Sequence, residues 1–149
     1  MPANEIITNL WLGNITDSQN DDFIHKMNVV INCSKDIPFL NTKSRSNIRV
    51  PIDDNLQKEE LITLYTYLDN VTQKIHMYLK NNKSIFVHCY AGKQRSASVV
   101  AAYLIRYYNL NLDRARVYIK SKRDIIFTPI MNFKASLELF EKDCNGLNE

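Results

Sequence analysis

Three reactive side chains stand close together in Ser84-Ile85-Phe86-Val87-His88-Cys89-Tyr90-Ala91-Gly92-Lys93-Gln94-Arg95-Ser96. Cys89 is followed, after five residues, by Arg95 and then Ser96. The apolar run Ile85-Phe86-Val87 predicts a buried strand, and the spacing of Val100, Tyr103, Leu104, Tyr107 and Tyr108 predicts a helix after Ser96. A tight loop between a strand end and a helix N-terminus aims backbone N–H groups at one point, where the helix dipole adds positive charge. A phosphate group suits such a cup. Gly92 permits the turn, and Arg95 offers a planar fork of donors to phosphate oxygens. The same field favours thiolate over thiol at a cysteine placed there, and a thiolate can attack phosphorus. Ser96 is placed to donate to the Cys89 sulfur. A buried structural cysteine in an ordinary turn is the alternative, but it leaves the joint spacing of His88, Cys89, Gly92, Arg95 and Ser96 unexplained.

A nucleophile needs a proton donor to expel an alkoxide or phenoxide, and a base to activate water afterwards; one carboxyl group can serve both steps. Asp53 and Asp54, on a loop after the strand at Ile48-Arg49-Val50, are the candidates. The pieces that must hold these groups together follow from pattern. Ile6 to Gly13 reads as two short strands turning at Thr8-Asn9, and Val29 to Cys33 as a central strand. Ser18 to Met27 predicts one helix capped by Ser18, with Phe23, Ile24 and Met27 inward. Ser34 to Asn47 reads as a loop, whose Lys43 and Arg45 could reach an anion but more simply face water. Leu61 to Leu79 carries a helical apolar face, and Leu112 to Lys122 predicts a further helix with Ala115, Tyr118 and Ile119 inward. Thr128 and Pro129 suggest the cap and first residue of a last helix, with Ile130, Phe133, Leu137 and Phe140 on one face and a frayed polar tail from Asp143. Strands and helices in this order predict an α/β fold with a small central mixed β-sheet flanked by helices, in one domain over residues 1–149.

Composition agrees with a globular chain: 45% hydrophobic, 23% charged, net charge +3. That charge tolerates an anionic substrate and gives no clear nucleic-acid signal. No stretch is apolar enough to span a bilayer, and Met1-Pro2-Ala3-Asn4-Glu5 has no signal-peptide pattern. Three cysteines without zinc spacing suggest a reducing compartment, hence the cytoplasm, with the nucleus also open to it.

The stretch from His88 to Ser96 resembles the H-C-x5-R-[ST] signature of the protein tyrosine phosphatase superfamily. Val50-Pro51-Ile52-Asp53-Asp54-Asn55 is similar to the stretch of dual-specificity phosphatases in which the Asp before the Asn is the general acid, which maps onto Asp54. Leu10-Trp11-Leu12-Gly13, Val30 to Ser34, Ala101-Ala102-Tyr103-Leu104 and Arg123-Asp124-Ile125-Ile126 with Pro129, Phe133 and Leu137 resemble further motifs of that family, so the likeness spans nearly the whole chain. It departs after Pro129, where Ile130 replaces the usual Asn and the Phe127-Thr128 segment looks one residue longer.

The resemblance implies a minimal, atypical dual-specificity phosphatase that hydrolyses phosphotyrosine and phosphoserine or phosphothreonine in proteins through a phosphocysteine. It implies Cys89, Arg95, Asp54 and Ser96 as catalytic residues, and the amides of Tyr90, Ala91, Gly92, Lys93, Gln94 and Arg95 as phosphate binders. His88 would support the loop, and neither metal nor other cofactor is required. No Lys-Asn-Arg-Tyr element, with which tyrosine-specific relatives build a deep pocket, is present. Lys93 also resembles the phosphoinositide-directed branch. RNA 5′-phosphatases commonly lack the acid, and non-catalytic binding relatives typically lose the Cys, the Arg or the acid. Some relatives protect the nucleophile with a second cysteine; Cys33 is a candidate, although a small apolar strand residue is the simpler reading.

Overall fold

The computed structural model describes residues 2–40 and 45–147. Its centre is β5 (Ile85–His88), the middle strand of a five-stranded sheet. β2 (Leu10–Gly13) and β3 (Val29–Asn32) flank it in parallel, β4 (Ser46–Arg49) extends the sheet beyond β3, and β1 (Asn4–Ile7) pairs antiparallel with β2. Register aligns Gly13, His88 and Asn32 across the carboxyl edge of the parallel strands. Ligands of open α/β sheets collect at that edge, and Cys89 follows directly.

Strand residues alternate between two apolar clusters, as a period of two requires. Leu10, Leu12, Val29, Ile31, Ile85 and Val87 join the main core. That core includes residues of four helices: α3 (Lys58–Lys80), α4 (Arg95–Tyr107), α5 (Leu112–Lys122) and α6 (Lys134–Leu147). Val30 and Phe86 belong to a smaller cluster with Ile24 and Met27, against which Trp11 and Phe23 pack. With both faces covered, β3 and β5 are apolar up to their last residues, Asn32 and His88, and all eight of their residues are buried. Among the described residues, no helix is long and apolar enough to cross a membrane.

Several expectations are corrected. The predicted helix over Ser18 to Met27 is two single turns, α1 (Ile15–Ser18) and α2 (Asp21–Ile24). Their caps are Asn14, which accepts from the Asp17 N–H, and Asn20, which accepts from the Phe23 N–H; Ser18 instead ends α1 buried, its hydroxyl donating to Ile15 O. Asn is as good a cap as Ser, so an Asn-rich stretch offers competing starts. Thr128-Pro129 does not begin a helix: the bond between them is cis, and α6 starts at Lys134. Phe133, Leu137 and Phe140 are buried as expected, but Ile130 lies before the helix and is 63% exposed. Tyr118 faces outward with its hydroxyl donating to Ile6 O, because only Leu112, Ala115 and Ile119 of α5 reach the core. The tail from Asp143 continues α6 to Leu147 with Cys144 buried. Lys43 lies outside the described residues.

Phe86 ties the smaller cluster to the central strand, its ring edge-on to Phe23 with centroids 4.9 Å apart. Phe86→Ala is expected to lower the unfolding free energy by about 3–5 kcal/mol in a urea titration.

Candidate active site

Cys89 leaves β5 with its Sγ 3.1 Å from the Ser96 Oγ, on the first turn of α4. Both side chains are buried. The chain between them folds so that its carbonyls are taken up on the outside. Cys89 O accepts from His88 Nδ1 at 3.3 Å and Tyr90 O from the Ile15 N–H at 2.9 Å. Ala91 O and Gly92 O accept from the Arg123 guanidinium at 3.4 and 2.9 Å. Lys93 O accepts from the Phe127 N–H at 2.9 Å, and Gln94 O from the Ser98 N–H and hydroxyl at 2.9 and 2.7 Å. A planar trans peptide sets each carbonyl opposite the next residue's N–H. The N–H groups of Tyr90, Ala91, Gly92, Lys93, Gln94 and Arg95 are therefore turned the other way. None of the six donates to another group among the described residues.

Arg123 is fully buried and holds this arrangement from beneath. It also donates to Pro2 O at 2.7 Å and Asn4 Oδ1 at 2.9 Å, tying loop and N-terminal strand together. Gly92 sits at φ +67°, and a Cβ there would lie 2.5 Å from Gly13 O and 2.7 Å from an Arg123 nitrogen. Its conformation and the space both require glycine. Gln94 braces the other side: its amide donates to Thr128 O at 3.3 Å and Ile130 O at 2.7 Å and accepts from the Asn132 N–H at 3.0 Å. The segment that departs from the family pattern is thus gripped through its backbone, which leaves the Ile130 side chain free of that task.

Arg95 donates from Nη1 to Ile52 O at 3.1 Å, while its Nε is buried with no partner among the described residues. A buried guanidinium donor without a partner is costly unless a ligand uses it, which suits a phosphate oxygen. Asp54, Cys89, Tyr90, Ala91, Lys93, Gln94, Arg95, Thr128 and Asn132 line one cavity of about 360 Å³. All the loop residues singled out in the sequence except the buried Gly92, Ser96 and His88 thus reach it directly.

The structure separates the two aspartates. Asp53 pairs with Lys35 at 3.3 Å and donates its N–H to Glu60 Oε2 at 3.1 Å. Lys35 also reaches Glu60 at 2.6 Å, so this buried glutamate pins the backbone just before Asp54. Asp54 faces the cavity, and its Oδ1 accepts from Asn132 Nδ2 at 2.9 Å. Arg45, read as a surface cation, instead bonds Ile24 O and Met27 O at the end of α2. Cys33 is a buried free thiol; burial pushes it well up, with the charge of Cys89 adding to the effect. Arg123, Gln94 as a brace, and Asn132 are the residues that sequence reasoning did not assign to the site. Arg123 was visible only as a motif residue, and nothing in the sequence signals how far Asn132 lies from Asp54.

His88 is buried, stacked on Phe86, and binds the Cys89 carbonyl through a protonated Nδ1. Burial, chiefly, lowers its titration from about 6.5 to about 4. The folded state therefore binds this proton less readily than the unfolded chain. The stability from neutral His88 is fully present above about pH 6.5 and is lost as pH falls toward 4, on the order of 3 kcal/mol in all. Urea titrations at pH 7 and pH 4.5 should show a steeper loss for the parent protein than for His88→Asn. Equal losses would contradict this role.

The family profile described as "Dual specificity phosphatase, catalytic domain" matches residues 10–143. A protein of Invertebrate iridescent virus 6 named as a tyrosine phosphatase, 123R, is 35% identical over 148 residues, covering 99% of this chain and 98% of its own. Mouse dual specificity protein phosphatase 14 is 31% identical over 144 residues, covering 95% of this chain and 70% of its own. A crystal structure of a human DUSP28 point variant superposes with a TM-score of 0.87 at 23% identity, over 99% of both chains. With the profile spanning most of its length, this chain belongs to the dual specificity phosphatase catalytic-domain family and is a cysteine-based phosphatase.

Proposed function

We propose that residues 1–149 form one catalytic domain that removes phosphate from phosphotyrosine and from phosphoserine or phosphothreonine in proteins, through a phosphocysteine. The observation that carries this reading is the meeting of Cys89, Arg95 and Asp54 in one cavity, with Ser96 Oγ 3.1 Å from the sulfur. The phosphoryl oxygens bind the loop N–H groups and Arg95. The Cys89 thiolate attacks phosphorus: an S–P bond forms, the P–O bond to the substrate breaks, and Asp54 gives its proton to the departing oxygen. Water then attacks the phosphocysteine, loses its proton to the Asp54 carboxylate, and the sulfur leaves as thiolate, steadied by the Ser96 hydroxyl. Positive field from Arg95 and six oriented N–H groups stabilises the charge that builds on the transferring group.

A second reading has one specific support. Lys93 also lines the cavity, and an added cation there favours a more highly charged ester such as a phosphoinositide.

Turnover of phosphotyrosine and phosphothreonine peptides, a phosphoinositide and triphosphorylated RNA distinguishes these substrates. Peptide turnover is expected to dominate; preference for the lipid would move the assignment to the second reading, and no turnover at all would leave a binding role. Cys89→Ser should abolish turnover and keep phosphate binding. Asp54→Ala should slow esters of poor leaving groups by about 10²–10⁴-fold. Asp53→Ala should do far less, and the reverse order would assign the acid to Asp53.

A further inference from the structure

Asp54 sits on an exposed loop, where a carboxyl side chain is free to rotate unless something holds it. Its backbone is anchored on one side through Asp53, Lys35 and Glu60. On the other side, a single side chain of the 128–132 segment reaches its carboxyl oxygen: Asn132 Nδ2 donates to Asp54 Oδ1 at 2.9 Å. Asn132 is itself fixed, because its backbone N–H donates to the buried Gln94 at 3.0 Å, and Gln94 belongs to the phosphate-binding loop. We propose that Asn132 is a positioning residue that sets the rotamer of Asp54 relative to the phosphate-binding loop. An amide donor on Oδ1 leaves Oδ2 to carry the transferable proton. Because Gln94 holds both Asn132 and the carbonyls of Thr128 and Ile130, the acid keeps its register with the loop that binds the phosphoryl group. The segment that departs from the family pattern at Ile130 thereby contributes through Asn132, two residues later.

This inference rests on the reading of Asp54 as the general acid. The test compares a phosphoserine peptide, whose alkoxide leaves poorly, with an aryl phosphate whose leaving group needs little protonation. Asn132→Ala, and Asn132→Leu, which keeps the approximate shape and the backbone bond but has no donor for Asp54, should each lower kcat on the peptide by about tenfold or more, with KM within about twofold. Turnover of the activated aryl ester should change little, and the thermal midpoint should stay near that of the parent. Placed on Asp54→Ala, the Asn132→Ala change should have no further effect on peptide turnover. Loss of activity on both esters alike, or additive losses in the double variant, would overturn the proposal. If Asp54→Ala discriminates between the esters and neither Asn132 variant does, the proposal fails and the acid assignment stands. If Asp54→Ala does not discriminate, the acid assignment fails and takes the proposal with it.

Discussion

A peptide group that points its N–H at a substrate must point a carbonyl somewhere else. Six consecutive carbonyls, from Cys89 to Gln94, have to find donors outside the cavity, and the fold is arranged to supply them. They come from His88, the N–H of Ile15 at the start of α1, the guanidinium of Arg123, the N–H of Phe127, and Ser98 one turn into α4. Satisfying the backs of these peptides preorganises their fronts. Orientation fixed by folding costs nothing when the phosphoryl group arrives, which is the physical advantage of a site built from main chain. The burial of Arg123 follows from the same need. A guanidinium is expensive to desolvate, and here its cost is offset by carbonyls and an amide oxygen from two separate stretches of chain, residues 2–4 and 91–92.

Asp54, the proposed acid, is held by different means. Asp54 comes from the loop between β4 and α3, far in sequence from Cys89 and on the other side of β3 in the sheet. No single element could fix both. The structure instead uses two lateral ties, the Lys35–Glu60 pair under Asp53 and Asn132 on Asp54 itself. The second tie passes through Gln94, so one side chain of the loop after Cys89 also sets the position of the segment that touches Asp54. Geometry between Cys89 and Asp54 is then a property of the packed core rather than of either loop alone.

How much of this could be read in advance depends on the range of the interaction. The strand-loop-helix around Cys89 was legible because its chemistry is local: the run Ile85-Phe86-Val87, Gly92 at a positive φ, and the Cys-to-Arg spacing all lie in one stretch. The long helix α3 and the bounds of α5 were legible from their apolar period. Asp54 over Asp53 came from resemblance, and the Lys35–Asp53–Glu60 contacts add a physical reason for the choice. The misread parts are those decided by nonlocal partners. Thr128-Pro129 is held by Gln94 instead of starting α6; the caps Asn14 and Asn20 are the exception, local bonds spanning three residues in which two asparagines outcompete Ser18. Arg45 finds the carbonyls of α2 rather than solvent, and Arg123 finds loop carbonyls thirty-one positions back in sequence. No pattern within a short window carries such pairings.

The central claim is that hydrolysis passes through phosphorylated Cys89. Its most direct test is a rapid-quench experiment with Ser96→Ala and a phosphotyrosine peptide, followed by mass spectrometry of the Cys89-containing fragment. Removing the hydroxyl that steadies the departing sulfur should slow breakdown of the covalent intermediate and let it be trapped. The account predicts a fragment heavier by one phosphoryl group, located on Cys89 and missing in Cys89→Ser. Peptide dephosphorylation with no phosphorylated Cys89 at any quench time, or a phosphoryl group on another residue, would contradict it.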